Sequence, residues 1–164
     1  MPEAQYTILI QIQVEHPALE QLPLDRLEQA AQVSLALTDT PPDSMLSLIL
    51  STDEELHRLN QRYRGLDAPT DVLAFPAQPL PSPIQEDSDY LGDVMISLPY
   101  VVRRATDEGH SPLDEVCLLI AHAILHLRGY DHATPESQKT MWAIQQRILQ
   151  ALEIALEVPD YIHE

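Results

Sequence analysis

An α+β domain is what this sequence predicts, with about four strands packed with about five helices. Its 164 residues suit one compact unit, residues 1–164. Hydrophobic residues make up 45% of the chain, ordinary for a folded protein and too many for a disordered acidic polymer. The two periodicities also segregate, since every strand-like segment precedes Leu98 and the chain from Ser97 onward is helical by pattern.

Near the start Ile8, Ile10, Ile12 and Val14 alternate with Thr7, Gln11 and Gln13, the two-residue period of a strand with one wet face, Leu9 being the exception. Leu24, Leu27, Ala30, Ala31 and Leu35 recur at helical spacing, and Pro41-Pro42 ends any continuation. Met45 to Leu50 reads as a short buried strand. Ser51-Thr52-Asp53-Glu54-Glu55 then offers two overlapping capping boxes for a helix carrying Leu56, Leu59 and Tyr63, which Gly65 closes. Val72 to Phe75 and Asp93 to Ile96 read as two more strands. The segment between them, with Pro76, Pro79, Pro81 and Pro83 and then Glu86-Asp87-Ser88-Asp89, reads as a surface loop. Ser97 caps a helix that Gly109 ends, and Ser111-Pro112 starts the next. That helix is apolar almost all round, so it is the expected central buried helix, and polar residues within it need a reason. Thr134-Pro135-Glu136 begins a last helix with Met141, Ile144, Ile148, Leu152 and Ala155 on one stripe, ending before Pro159.

With 26 acidic residues against 9 Lys and Arg, the formal charge is −17. A protein that coats nucleic acid electrostatically is excluded on that ground. The first residues, Met1-Pro2-Glu3-Ala4-Gln5, lack a basic n-region, and the longest apolar run, Val116 to Ala121, is far too short for a membrane span. Cys117, the single cysteine, lies inside that run and is expected to pack as a small hydrophobe. A reducing, cytoplasmic location and no membrane partner are the expectations.

The informative stretch is His122-Ala123-Ile124-Leu125-His126-Leu127-Arg128-Gly129-Tyr130-Asp131-His132. His122 and His126 are four apart on a helix, so their Cβ atoms lie about 5–6 Å apart on one face. That suits two ligands on one Zn²⁺, each at about 2.0–2.1 Å. Gly129 takes the left-handed conformation that stops the helix, and the chain then swings His132 over the same face. Three protein ligands leave one tetrahedral position for water, which distinguishes catalytic zinc sites from closed structural ones. His16, His57, His110 and His163 have no comparable neighbours and read as surface or loop residues. The spacing His-x-x-x-His-x-x-Gly-x-x-His is also that of the metzincin peptidases, but their general base directly after the first histidine is here Ala123, which cannot transfer a proton. Met141 belongs by periodicity to the last helix rather than to a Met-turn. Asp131 either orients a ligand imidazole or caps the turn.

This block closely resembles the YbeY family of metal-dependent endoribonucleases, whose hallmark is His-Gly-x-Leu-His-Leu-x-Gly-Tyr-Asp-His. Every fixed position matches except Ala123, where the family usually has Gly. Two further blocks match in the family's order: Asn60-Gln61-Arg62-Tyr63-Arg64 running into Pro69-Thr70-Asp71-Val72-Leu73-Ala74-Phe75-Pro76, with Ala74 where Ser is more usual, and Leu91-Gly92-Asp93-Val94-Met95-Ile96-Ser97. The resemblance implies one hydrolase domain with a mixed sheet, one Zn²⁺ per chain held by His122, His126 and His132, and cleavage of single-stranded RNA. It further implies a role in 3′ end maturation of 16S ribosomal RNA and in ribosome quality control. Arg64 corresponds to the family's functional arginine, where a planar guanidinium suits two phosphoryl oxygens at once.

Read without the resemblance, Arg64 is a solvated side chain or an ion-pair partner of Asp67 or Asp71. Hydrolysis of a phosphodiester is expected to use zinc-activated water as nucleophile, and the motif itself supplies no general base. Arg62, Arg103, Arg104 and Arg128 are further candidates to line an RNA path. Two alternatives stand beside the nuclease: a non-catalytic ribosome-assembly factor with structural zinc, and a metzincin-like peptidase. The charge distribution bears on partners. Residues 1–57 hold ten acids against Arg26, and residues 105–164 hold ten against Arg128, Lys139 and Arg147, whereas residues 58–104 hold five arginines against six acids. Ribosomal RNA on the small subunit is the expected substrate, brought by a basic ribosomal protein or an assembly GTPase to a chain that binds naked RNA weakly.

Overall fold

A computed structural model describes residues 6–77 and 89–156. Four strands, β1 (Thr7–Ile12), β2 (Met45–Ser51), β3 (Val72–Pro76) and β4 (Tyr90–Ser97), form one sheet in the order β1-β2-β4-β3. β1, β2 and β4 run parallel and β3 is antiparallel to β4, so the sheet is mixed. The parallel β1–β2 pair needs a crossover. Helix α1 (Leu24–Ala36) supplies it, preceded by a 3-10 turn over Pro17–Gln21 that the apolar pattern did not announce. The other helices are α2 (Asp53–Arg64), α3 (Leu98–Glu108), α4 (Pro112–Leu127) and α5 (Pro135–Ala151).

Period-two alternation gives the sheet two buried faces. Leu46, Leu48 and Leu50 of β2, Val94 and Ile96 of β4 and Val72 of β3 join one core with α1, α3, α4 and α5. Leu73, Phe75 and Met95 point the other way and meet Leu56 and Leu59 of α2. β1 lies at an edge, which explains why Leu9 and Ile12 remain 43% and 41% exposed although Ile12 falls in the alternating series. From Glu115 to Leu125 every residue of α4 is buried, as a central helix requires. The charge in that run is neutralised: the Glu115 carboxylate meets His110 Nδ1 at 2.7 Å and Arg104 at 3.9 Å, and Arg104 bonds the fully buried Asp71 at 2.8 Å.

The caps follow the sequence closely. Thr52 Oγ1 accepts from Glu55 N, so Thr52 rather than Ser51 is the N-cap, while the Glu55 carboxylate accepts from Arg58 instead of closing the box. Gly65 and Gly109 close α2 and α3 in the left-handed conformation. Ser97 precedes α3, but its hydroxyl donates to Asp53 Oδ1 at 2.5 Å instead of capping. The last helix is shorter than its apolar stripe suggests. Glu153 adopts φ +60° and Ile154 N bonds Leu149 O at 2.9 Å, which turns Ile154 into the core and leaves Leu152 and Ala155 beyond the helix. Pro159 and His163 lie outside the described residues, as does the loop segment 78–88. Among the described residues no helix is long and apolar enough to cross a membrane.

Candidate metal centre

α4 carries His122 and His126 one turn apart, with ring centroids 4.7 Å from each other. The helix stops just beyond them. Gly129 takes φ +94°, a conformation costly for other residues, and Tyr130 N bonds Leu125 O at 2.9 Å across the turn. The next residues form a pinned corner: Asp131 Oδ1 accepts from Ala133 N at 3.2 Å, so the carboxylate braces the turn around His132. That bond, with the Ser137 hydroxyl behind it, holds the Asp131 carboxyl below the usual carboxylate range. Of the two roles for Asp131, the turn cap is the one this bond supports. His132 thereby returns over α4, its ring 5.5 Å from His122 and 5.2 Å from His126.

One ring nitrogen from each histidine lies within 4.8 Å of the others, close enough to hold one metal ion. The hydrogen bonds show that the site suits a cation. His126 Nδ1 faces the Tyr130 carbonyl at 3.1 Å and His122 Nδ1 faces Gln145 Oε1 at 3.0 Å. Both oxygens accept only, so both Nδ1 atoms donate and the lone pairs fall on Nε2. Those two Nε2 atoms stand 3.2 Å apart. Two tetrahedral ligands at zinc's bond length would be separated by about 3.3 Å. A cation held there relieves the repulsion between the two lone pairs. Trp142 of α5 walls the site, 5.9 Å from the His122 ring and 5.4 Å from His132.

The structure brings the three histidines together and places Arg64 on another element. Arg64 is the exposed last residue of α2, the helix on the opposite sheet face from α4, and its Nη1 donates to Asn60 Oδ1 at 3.4 Å. Of the two carboxylates named beside it, Asp67 meets His57 at 2.7 Å and Asp71 meets Arg104 at 2.8 Å. Two of the arginines named for an RNA path make contacts within the fold. Arg104 is the nearly buried partner of Asp71, and Arg128 donates to the Thr38 and Asp39 carbonyls. Arg103 pairs with Asp53 at 2.9 Å, and Arg62 lies over the Tyr63 ring. His16, His57 and His110 are more than surface residues: His16 caps the 3-10 turn, His57 binds Asp67 and His110 binds a buried carboxylate. Gln145, whose Oε1 faces His122 Nδ1, lies outside the histidine motif. It sits one turn after Met141 on the buried stripe of α5, where a polar residue is itself a signal.

Residues 10–153 match the sequence model of the family described as Endoribonuclease YbeY. The chain belongs to the YbeY family. An Endoribonuclease YbeY of Shouchella clausii is 41% identical over 145 residues, covering 80% of this chain and 84% of that protein. Another from Roseiflexus castenholzii is 36% identical over 160 residues, covering 96% and 99%. The solution structure of TM1509 from Thermotoga maritima superposes with a TM-score of 0.58 at 26% identity, covering 89% of each chain. Against the YbeY hallmark, the methyl group of Ala123 is fully buried in the core. Met141 is likewise buried within α5, which removes the Met-turn on which a peptidase reading would draw.

Proposed function

We propose that this YbeY-family chain is a zinc-dependent endoribonuclease of single-stranded RNA that acts in the cytoplasm on the small ribosomal subunit. Its task on this reading is 3′ end maturation of 16S ribosomal RNA and ribosome quality control. Metal ligation by His122, His126 and His132 is the core of the reading, and the single observation that carries it is the pair of Nε2 atoms 3.2 Å apart with both Nδ1 atoms committed to oxygens. When bound, a divalent ion in such a site supplies Lewis-acid polarisation and activation of water.

The chain's own residues do the rest. α4 and the Gly129 corner hold three imidazoles in one orientation before any substrate arrives, which limits the rearrangement needed on binding. Arg64 is assigned to the phosphoryl oxygens: a guanidinium offers them two parallel donors, and the C-terminal end of α2 favours a cation. Ala123 contributes no proton transfer.

Purified protein is expected to carry about one zinc. His126→Ala should lose both zinc and cleavage of a single-stranded RNA, whereas Arg64→Ala should keep zinc and lose cleavage by about 100-fold or more. Normal cleavage by Arg64→Ala would remove its role, and normal zinc content in His126→Ala would remove the site.

A further inference from the structure

We propose that Gln145 is a positioning residue that selects the metal-binding tautomer of His122. The inference rests on the metal-site reading above and assigns a role that neither the histidine motif nor the family match gives to α5. His126 needs no such helper, because a backbone carbonyl, Tyr130 O, faces its Nδ1 and fixes the proton there. For His122 the same task falls to a side chain. Gln145 is fully buried, its Oε1 lies 3.0 Å from His122 Nδ1, and its Nε2 has no hydrogen-bond partner among the described residues.

An amide presents either end to an imidazole, and the two ends have opposite consequences. With Oε1 toward the ring, Nδ1 keeps the proton and the Nε2 lone pair turns into the histidine cluster. With Nε2 toward the ring, Nδ1 must accept, the proton moves to His122 Nε2, and that N–H points at His126 Nε2, 3.2 Å away. The second arrangement joins the two ligands to each other and closes the site to a cation. Gln145 therefore sets whether the first ligand is competent, and it does so from α5, a different helix from the one that carries His122. Met141, Ile148 and Leu149 bury the same helix in the core, and Gln145 itself is fully buried. Outer residues of this kind change metal affinity by about 10–100-fold when replaced.

The test compares zinc affinity, measured by chelator competition, for the intact chain and two variants of similar volume. Gln145→Met removes the acceptor and is expected to weaken zinc binding by about 10–100-fold. Gln145→Glu keeps an acceptor, cannot present a donor while ionised, and is expected to bind at least as tightly as the parent. A purely packing role would leave Gln145→Met unchanged, and an unchanged affinity overturns the proposal. A second measurement needs no variant: long-range nitrogen–proton NMR of the zinc-loaded parent should show the His122 proton on Nδ1 and the metal on Nε2. The reverse assignment overturns the proposal even if Gln145→Met fails to fold. A parent chain that takes up no zinc overturns the metal site as well, whereas tight parent binding with an indifferent Gln145→Met overturns this inference alone.

Discussion

Single side chains in this fold are legible when their chemistry is scarce. Three imidazoles at His122, His126 and His132 stood out in an acidic chain because a buried helix has no cheap use for two polar rings on one face. Gln145 did not stand out, because an amide on a helix is common and only its place between Met141 and Ile148 on the buried stripe marks it. The pairing of Arg104 is illegible for the converse reason: nothing in its local sequence says that Asp71, far along the chain, will bury against it. Cys117 behaved as its neighbours suggested. It is 1% exposed, and burial pushes its thiol up to about 12. The native thiol therefore stays neutral, and iodoacetamide at mildly alkaline pH should label it only after denaturation. Because the folded value lies above the ordinary 9.0, this group's contribution to stability is complete below that value and is lost as pH rises from there toward about 12. Fast labelling of the native protein would contradict the packing described.

Elements were placed well wherever a cap or a breaker marked them. Thr52, Gly65, Gly109, Ser111 and Thr134 all bound their helices as the sequence indicated. The end of α5 was not readable, since the left-handed residue there is Glu153, and only the burial of Ile154 explains it. Sheet order is the other thing the local pattern could not supply. β4 inserts between β2 and β3, a choice made by pairing across the chain rather than by periodicity. Gly92 shows how tight that pairing is. It has φ +143°, and a Cβ there would stand 2.2 Å from the Phe75 carbonyl oxygen of β3. Gly92→Ala must therefore both strain the backbone and push β3 away, costing about 2–5 kcal/mol. Urea unfolding would measure it, and a change below about 0.5 kcal/mol, the size of an ordinary surface substitution, would contradict the β3–β4 geometry.

The whole molecule must reconcile a charge of −17 with an RNA substrate. Residues 58–104 are close to balanced, but the structure shows how little free positive charge this leaves. Arg58 pairs with Glu55, Arg103 with Asp53 and Arg104 with Asp71. Weak binding of naked RNA at 0.15 M salt follows, because ion-paired arginines release few counterions from phosphate. Filter binding with arbitrary single-stranded RNA should give no tight complex there, and a tight one would contradict the account. Chelation is the experiment that separates a catalytic metal from a structural one. Met141, Ile148 and Leu149 are buried independently of the histidines, so chelation should leave most helicity intact by circular dichroism. The most direct test is cleavage of a defined single-stranded RNA by the intact chain, before chelation, after chelation and after return of one equivalent of zinc. The expected result is cleavage that disappears with the metal and returns with it while the fold persists; undiminished cleavage by the metal-depleted protein would contradict a metal centre at His122, His126 and His132.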